Sequence, residues 1–258
     1  SYADPVLRFS QNARGNSIVT GVAIFSVSAS QRVPSHVHPS ASSQRAFASR
    51  VGAAVVGVVL GAGSSRRLGR PKQTIAFGGQ TLLSHVMRDI EEARSLKRVY
   101  LVLGGSSDEA EASLSLKRAH VVYNDGYGTG CASSLLAGLD AAGECDGVVM
   151  LLGDMPGVTA EVIDAVTGAW RQTPSWAAVT DYRGQLGHPF LFSASAFSDL
   201  RELHGDKAVW KIVDSEPHTR VARLAVDRPL PRDIDTWDDY NTVCAAFGFS
   251  PAERTAAL

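Results

Sequence analysis

Apolar runs alternate with amphipathic segments along the middle of the chain. Four apolar runs of the kind found in buried strands end near residues 60, 103, 123 and 152, and each is followed by helical spacing such as Leu82, Val86 and Ile90. The pattern predicts strands at Val55–Leu60, Arg98–Leu103, His120–Tyr123 and Gly147–Leu152, and helices at Thr81–Ala93, Asp108–Leu116, Ser133–Ala142 and Thr159–Trp170. Repeated strand-helix units predict right-handed crossovers and an α/β fold of three layers, Rossmann-like, with helices on both faces of a mostly parallel sheet.

The first fifty residues show no such alternation. They are rich in serine, contain Pro5, Pro34 and Pro39, and carry no sustained period. We expect an irregular N-terminal extension over 1–50 with one short strand at Ile18–Val27, a single domain over 51–248 and a C-terminal tail over 249–258. A signal peptide is the alternative for the apolar segment near residue 18, and the enzyme-like sequence downstream disfavours it.

Composition excludes several classes of protein. A hydrophobic content of 45% and a charged content of 20% are ordinary for a globular protein. A net charge of −1 argues against nucleic acid as a partner, since there is no basic excess to replace counterions. No apolar run is long enough to span a bilayer, so no membrane partner is expected. Three scattered cysteines predict a reduced, cytoplasmic protein.

The first strand ends in a turn of small residues, Gly61-Ala62-Gly63, followed by Arg67 and Lys72. Glycines let backbone N–H groups approach a ligand without a Cβ in the way, and consecutive N–H groups in such a turn form an anion-binding nest. Arg67 and Lys72 add full positive charge. The construction suits a nucleoside triphosphate, and we expect Lys72 to face a solvent-filled cleft.

Two familiar phosphate-binding motifs fit this stretch poorly. A dinucleotide fingerprint needs a third glycine where this chain has Arg66, and an acidic residue after the second strand, where this chain has Gly104. The phosphate loop of ATPases needs Gly-Lys followed by Ser or Thr, whereas Gly69 lies three residues before Lys72 and Gln73 follows it.

The stretch resembles the signature of the MobA-like nucleotidyltransferases. The matching residues are Leu60, Gly61, Ala62, Gly63, Ser65, Arg67, Leu68, Gly69 and Lys72. The departure is Gly61, where the family usually has alanine. A second family motif is matched by Asn124, Gly128, Ser134-Leu135 and Gly138-Leu139. The resemblance covers Val55 to Tyr240 and implies that Lys72 and Arg67 are catalytic. The nucleotide-binding residues that it implies are Leu60, Gly61, Ala62, Gly63, Ser64, Ser65, Arg67, Lys72, Asn124, Gly128, Ser133, Ser134 and Asp154.

Carboxylates also match the family. Asp154 stands in Gly-Asp-x-Pro at the end of the fourth strand, where the resemblance implies a ligand of catalytic Mg²⁺. Magnesium prefers one or two carboxylates together with phosphate oxygens and water. Asp233-Ile234-Asp235-Thr236 resembles a motif that opens the last helix. Asp235 is either a second metal ligand or an acid favoured by the helix dipole.

The acceptor side is less completely matched. His188, in Gly-His-Pro, and Asp206, in Gly-Asp-Lys, resemble family positions beside the acceptor. Ala208 and Trp210 stand where the family has Gly and Arg, so the acceptor is less well defined. A buried, purely structural His188 is the alternative.

The resemblance is closest to the molybdenum cofactor cytidylyltransferases. It implies transfer of CMP from CTP to a phosphate-bearing acceptor, a molybdopterin-type cofactor, with release of pyrophosphate and with a molybdenum hydroxylase as a further partner. Two alternatives stay open: an NAD(P)H-dependent oxidoreductase of the nicotine blue type, and a chaperone that binds the molybdenum cofactor. The missing dinucleotide fingerprint counts against the first, and the intact Arg67, Lys72 and Asp154 against the second. The base of the nucleotide leaves no side-chain signature.

Overall fold

The computed structural model describes residues 8–11, 17–20, 53–63, 65, 67–104, 107–205, 208–216 and 220–252. The strands are β1 (Arg8–Gln11), β2 (Ser17–Thr20), β3 (Val55–Leu60), β4 (Ala76–Phe77), β5 (Gln80–Thr81), β6 (Arg98–Leu103), β7 (Ala119–Tyr123), β8 (Gly147–Leu152), β9 (Ala177–Tyr182), β10 (Gln185–Ser193) and β11 (Val221–Val226). The helices are α1 (Leu82–Glu91), α2 (Asp108–Ala112), α3 (Cys131–Ala142), α4 (Ala160–Gln172), α5 (Phe197–Arg201), α6 (Ala208–Ser215) and α7 (Trp237–Phe247). Short 3-10 turns lie at Lys72–Thr74, Tyr127–Thr129 and Ala194–Ala196.

Seven strands form the central sheet, in the order β11-β9-β10-β8-β3-β6-β7. The pairs β8-β3, β3-β6, β6-β7 and β9-β11 are parallel, and β10 is antiparallel to both of its neighbours. The mostly parallel sheet predicted from the sequence is therefore confirmed.

Both faces of the sheet are buried, and successive residues of β3 point into different cores. Val55 and Val59 pack with residues of α1, α4 and α7, whereas Val56 and Val58 pack with residues of α3, α5 and α6. Strands buried on both faces read as continuous apolar runs, which is why the pattern identified them. The arrangement of helices, sheet and helices confirms the three layers.

Helix α3 lies unusually close to the sheet. A Cβ added to Gly138 would lie 2.3 Å from Val58 Cγ1 and 3.1 Å from Val102 Cγ2. Leu139 is buried in the same core. These two family-motif residues therefore face the sheet, and only the start of α3 points toward the carboxyl ends of the strands.

The bounds of β3, β6 and β8 are those predicted, while α2 is shorter. It ends at Ala112 instead of Leu116. The carboxylate of Glu91 accepts hydrogen bonds from the N–H groups of Lys117, Arg118 and Ala119. These bonds direct the chain into β7 and replace a further helical turn. The N-cap position of Thr159 is confirmed, although its hydroxyl accepts from Arg228 and makes no capping bond.

The topology places a crevice beside β3. From β3 the chain builds β6 and β7 on one side and later β8 on the other. In open α/β sheets, ligands bind outside the carboxyl ends of the strands at such a reversal of strand order. The segments that follow β3 and β8 begin with Gly61 and Gly153, and an added Cβ on Gly153 would lie 3.3 Å from Gly61 Cα.

The ends of the described chain bear on the predicted domain bounds. Phe249 packs edge-to-face on Phe77, and the N–H of Ala252 donates to Tyr240 Oη, so part of the predicted tail contacts the domain. Strands β1 and β2 pair antiparallel. The strand β2 coincides with the start of the strand predicted at Ile18–Val27, and residues 21–27 lie outside the described part. The division at residue 50 stays a prediction. No helix in the described ranges has the length and apolarity needed to cross a membrane.

Candidate functional site

The turn after β3, residues 61–65, is held by bonds to the neighbouring strand β6 and to the 3-10 turn that follows it. We call it the β3 turn; Ser64 within it lies outside the described residues. The N–H of Gly61 donates to Val102 O at 2.8 Å, so this group is not available to a ligand. Gln73 Nε2 donates to Gly61 O at 2.6 Å and to Gly63 O at 3.2 Å. Ser65, with φ +49°, accepts the N–H of Lys72 on its hydroxyl at 2.9 Å.

The remaining N–H groups of the β3 turn differ from that of Gly61. The N–H groups of Ala62, Gly63 and Ser65 donate no hydrogen bond to any other described residue. A Cβ added to Gly63 would lie 3.2 Å from Lys72 Cε, so the glycine brings the backbone close to this lysine. Free N–H groups beside an ammonium form a favourable site for phosphate oxygens.

Four charged side chains from distant segments meet at the mouth of the crevice. We call Arg67, Lys72, Asp154 and Asp235 the charge cluster. Lys72 Nζ contacts Asp154 Oδ2 directly and donates to Asp235 Oδ1 at 2.9 Å. Arg67 donates to Asp235 Oδ2 at 3.1 Å. The structure thus brings together the predicted catalytic residues and both predicted metal ligands.

Burial within the charge cluster is graded. Lys72 is 7% exposed, whereas the side chain of Arg67 is 69% exposed. Lys72 therefore does not face a solvent-filled cleft as the sequence suggested, because two carboxylates cover its ammonium. Burial disfavours the charged amine, but the contacts with Asp154 and Asp235 outweigh it and raise the pKa of Lys72. Burial likewise opposes ionisation of Asp235, yet the bonds from Lys72 and Arg67 lower its pKa.

Asp154 retains an unused acceptor. Its Oδ1 is buried and accepts no hydrogen bond from the residues that the structure describes. Its backbone carbonyl accepts the N–H of Ile234 at 3.0 Å, which ties the segment after β8 to the segment before α7. Asp233 lies close enough that burial, together with the charges of Asp154 and Asp235, raises its pKa.

These carboxylates are compatible with a divalent cation. Asp154 and Asp235 already converge on one cationic atom, Lys72 Nζ, and the buried oxygen of Asp154 needs a partner. Within the described ranges no group of three or more potential metal-ligating side chains occurs. Two carboxylates are nevertheless enough protein ligands for Mg²⁺ when phosphate oxygens and water complete its coordination shell.

Asp235 is not part of the cap of α7. Thr236 is the N-cap and forms a reciprocal capping box with Asp239, and the acids of the first turn are Asp238 and Asp239. Asp235 instead points to Lys72 and Arg67. This placement favours its assignment to the site over the helix-dipole alternative.

The loop after β7 is organised around the buried Asn124. Its Nδ2 donates to the hydroxyls of Ser133 and Ser134 at 3.0 Å each, and its Oδ1 accepts the N–H of Gly126. The amide thus joins the loop to the start of α3, and Gly128 is exposed at the tip. These four predicted residues lie at the carboxyl end of the sheet. Their contact with a nucleotide stays a prediction.

The two residues predicted for the acceptor are differently placed. His188 is 2% exposed, its Nδ1 lies 3.3 Å from Met150 O, and its ring centroid is 4.3 Å from that of Phe190. Burial lowers the pKa of His188 to about 4. This is the geometry expected of the structural alternative, and direct contact with an acceptor stays a prediction. Asp206 lies outside the described residues.

Sequence reasoning overlooked Gln73. This residue is buried and holds two carbonyl groups of the β3 turn. The only feature of the sequence that could have indicated Gln73 is its position next to Lys72. A glutamine at such a position has no characteristic function, so this feature did not predict its role.

Comparison with known proteins agrees with this geometry. The profile of the MobA-like NTP transferase domain matches residues 57–222, well over half of the chain. The chain belongs to the MobA-like NTP transferase family. The β3 turn, the charge cluster and the loop after β7 all lie within the match or, for Asp235, shortly beyond it.

Proteins with several different names are similar to the chain. The purine catabolism protein PucB of Bacillus subtilis is 27% identical over 73% of this chain and 95% of its own length. A nicotine blue oxidoreductase of Paenarthrobacter nicotinovorans is 28% identical over 54% of this chain and 71% of its own. A probable molybdenum cofactor guanylyltransferase of Opitutus terrae is 31% identical over 66% of this chain and 83% of its own length.

Solved structures are also similar to this chain. A homologue of Mycobacterium tuberculosis Rv0371c from Mycobacterium sp. strain JC1 is 38% identical, with a TM-score of 0.68, over 74% of this chain and 96% of its own. Rv0371c of Mycobacterium tuberculosis in complex with manganese is 31% identical, with a TM-score of 0.63. The match covers 75% of this chain and 99% of that protein. Nucleotidyltransferase activity is supported by the family and by the name of the guanylyltransferase relative.

Proposed function

We propose that this protein is a Mg²⁺-dependent cytidylyltransferase that moves CMP from CTP to the phosphate of a molybdopterin-type acceptor and releases pyrophosphate. The observation that carries the proposal is the convergence of Lys72, Asp154 and Asp235 beside the N–H groups of Ala62, Gly63 and Ser65, which have no partner among the described residues. It supplies the cations and carboxylates that phosphoryl-group chemistry uses. A molybdenum hydroxylase that receives the product is the further partner that we expect.

The reaction makes one P–O bond and breaks another. An oxygen of the acceptor phosphate attacks the α-phosphorus, and the bond from that phosphorus to the pyrophosphate oxygen breaks in line. Negative charge grows on the α-phosphate oxygens and on the leaving group. Lys72 would stabilise the α-phosphate and Arg67 the leaving phosphates, since positioned cations provide much of the catalysis in such sites.

The N–H groups of Ala62, Gly63 and Ser65 would hold the β- and γ-phosphates. They follow β3 directly, so the sheet fixes their position before the ligand arrives. The N–H of Gly61 would not bind a phosphate, because it is bonded to Val102 O. Gly61 would instead leave room for the ligand, since it has no side chain. Backbone donors that are ordered in advance need no reorganisation when charge develops.

Asp154 and Asp235 would hold the magnesium ion, which supplies neutralisation of the triphosphate charge when bound. Without a cation, the half-buried carboxylate of Asp154 would repel the phosphates. The Oδ1 of Asp154, which has no hydrogen-bond partner among the described residues, and the manganese complex of the relative Rv0371c support this role.

A screen of the four nucleoside triphosphates tests the proposal. Pyrophosphate release is measured with each triphosphate, Mg²⁺ and a molybdopterin-type acceptor, with a reaction lacking acceptor as control. We expect release with CTP that depends on the acceptor. A preference for GTP would overturn the donor assignment and leave the nucleotidyltransferase assignment standing.

An oxidoreductase of the nicotine blue type is the second candidate, and the name of one relative favours it. The β3 turn lacks the third glycine of a dinucleotide fingerprint, which counts against it. The melting temperature of the protein distinguishes the two functions. We expect CTP with Mg²⁺ to raise it and NADPH to leave it unchanged, and the reverse result would favour the oxidoreductase.

A further inference from the structure

We propose that Gln73 is a positioning residue that fixes the direction of the peptide group between Gly61 and Ala62, so that the Ala62 N–H is presented to the phosphates of the donor. This inference rests on the proposed function. It concerns a residue next to Lys72 that would touch no substrate itself.

The orientation of the Gln73 amide is determined by its partners. Both nearby groups, Gly61 O at 2.6 Å and Gly63 O at 3.2 Å, are acceptors only. The NH₂ end of the amide is therefore the end that faces them, because a carbonyl oxygen cannot donate. Gln73 is buried, so water competes little for these bonds.

The carbonyl of Gly61 determines where the next N–H points. In a trans peptide group the C=O of one residue and the N–H of the following residue point in opposite directions within one plane. The bond from Gln73 to Gly61 O therefore turns the Ala62 N–H away from Gln73. That N–H has no partner among the described residues.

The preceding peptide group, between Leu60 and Gly61, is also held. The N–H of Gly61 donates to Val102 O at 2.8 Å on the neighbouring strand β6. Gly61 is thus fixed at its N–H by the sheet and at its carbonyl by Gln73, so both peptide groups that flank its Cα are anchored. Backbone donors that are held in this way lose less entropy when a ligand binds.

Gln73 also couples the β3 turn to Lys72. The two residues are adjacent in the same 3-10 turn, and the N–H of Lys72 donates to the hydroxyl of Ser65 at 2.9 Å. Three hydrogen bonds therefore join the segment at 72–73 to the β3 turn. Loss of the Gln73 bonds would disturb the phosphate-binding backbone while the Lys72 contacts with Asp154 and Asp235 stay in place.

Two variants test the role. Gln73→Met has similar length and no donor, and Gln73→Glu keeps the shape but places an acceptor against two carbonyls. Binding of inorganic tripolyphosphate, CTP and Mn²⁺ alone is measured by calorimetry on the full chain. We expect the Kd of tripolyphosphate and of CTP to rise at least ~10-fold in both variants, because the two carbonyl groups lose the donor that orients them and the Ala62 N–H is no longer held toward the phosphates. We expect the Kd of Mn²⁺ alone to change less than about 2-fold, since the carboxylates are untouched.

A loss of phosphate affinity without a loss of metal affinity distinguishes a positioning role of Gln73 from a general loosening of the site. The matched control is Gln80→Met, which removes a half-buried glutamine whose Nε2 contacts His85 and not the β3 turn. It should leave all three dissociation constants unchanged. An unchanged tripolyphosphate affinity in a folded Gln73 variant, or an equal loss of Mn²⁺ and tripolyphosphate affinity, would overturn the proposal.

A measurement on the wild-type protein covers the case in which neither variant folds. The amide resonance of Ala62 should shift strongly on titration with tripolyphosphate, and the Gly61 amide, which is bonded to Val102, should shift less. The reverse order would overturn the proposal. Pyrophosphate release by the wild-type protein judges the proposed function separately, so the two failures are distinguishable.

Discussion

The ammonium of Lys72 contacts the carboxylate of Asp154, although the two residues follow different strands and lie far apart in the sequence. Lys72 also donates to Asp235, so one cation satisfies both carboxylates that would hold a metal ion. We expect a divalent cation held by these two carboxylates to compete with the ammonium for them. Lys72 would then be released toward the triphosphate to the extent that the metal takes its place.

Lys72→Met should lower the chemical step about 100-fold or more, since a positioned charge is worth about 3 kcal/mol in such a site. The same variant should bind Mn²⁺ alone at least ~10-fold more tightly, because two unit charges about 4 Å apart repel by about 4 kcal/mol at an effective dielectric constant of about 20. Single-turnover kinetics and calorimetry measure the two effects. Methionine is chosen over alanine because Lys72 is buried.

The exposed Lys117, changed to methionine, is the matched control for net charge. It should alter neither quantity. If Lys72→Met keeps near wild-type turnover with saturating triphosphate, the catalytic role assigned to Lys72 is wrong. If its affinity for Mn²⁺ is unchanged, the proposed competition between the ammonium and the metal ion is wrong.

Asp154→Asn keeps the shape of the side chain and removes its charge. We expect it to abolish activity at ordinary magnesium concentrations and to bind metal-free triphosphate at least as well as the wild type, because a repelling carboxylate is gone. Asp235→Asn should show the same pattern more weakly, since this residue is more exposed and also pairs with Arg67. Activity is titrated against Mg²⁺ for each protein.

The exposed Asp140, which pairs with Arg201, provides a control when changed to asparagine. Its half-saturating magnesium concentration should match that of the wild type. An Asp154→Asn protein with magnesium-dependent turnover and an unchanged half-saturation would place the metal elsewhere.

A protein that begins at Val51 should fold and turn over like the full chain. The reason is the break in composition and periodicity at this point, and the described core of the domain is built from Ala53 onward. Thermal unfolding and pyrophosphate release measure the outcome. Loss of solubility or activity would show that the extension packs on the domain or completes its site.

Acid should destabilise the fold through His188. Burial lowers its folded pKa to about 4, whereas an unfolded histidine titrates near 6.5, so the unfolded state binds more protons below about pH 6.5. Stability is then fully present above pH 6.5 and is lost as the pH falls toward 4. The expected loss from this residue is about 2 kcal/mol between pH 7 and pH 5.

His188→Asn removes the titrating group and keeps a polar side chain at this position. Urea unfolding at the two pH values should show a smaller acid loss in this variant than in the wild type. The exposed His120, changed to asparagine, should keep the wild-type dependence. Equal pH dependence in His188→Asn and wild type would contradict the assignment.

The central strands could be predicted because both of their faces are buried. Val55–Leu60 and Gly147–Leu152 are continuous apolar runs, and their bounds in the structure are those of the runs. The direction of β10 could not be predicted, because Phe190–Phe192 is equally apolar in either direction. The shorter α2 depends on Glu91, whose carboxylate acts on a segment beyond the helix.

Motifs identified the charged residues of the site but not their pairing. Lys72 and Asp235 were assigned to different ligands, and only the fold brings them within 2.9 Å. The burial of Lys72 follows from this long-range contact, which leaves no local pattern. Gln73 escaped notice for a similar reason, since its partners are backbone carbonyls.

The last helix determines when during synthesis the site becomes complete. Trp237 Nε1 donates to Leu68 O and Tyr240 Oη donates to Ala76 O, so α7 is bonded to the segment that carries Lys72. Asp235 precedes that helix. A nascent chain that has just left the ribosome up to Val226 contains every strand of the central sheet, yet it has neither Asp235 nor the helix that positions it. The proposed triphosphate reaction would therefore have to wait until Asp235 and α7 have been synthesised, however early the sheet forms.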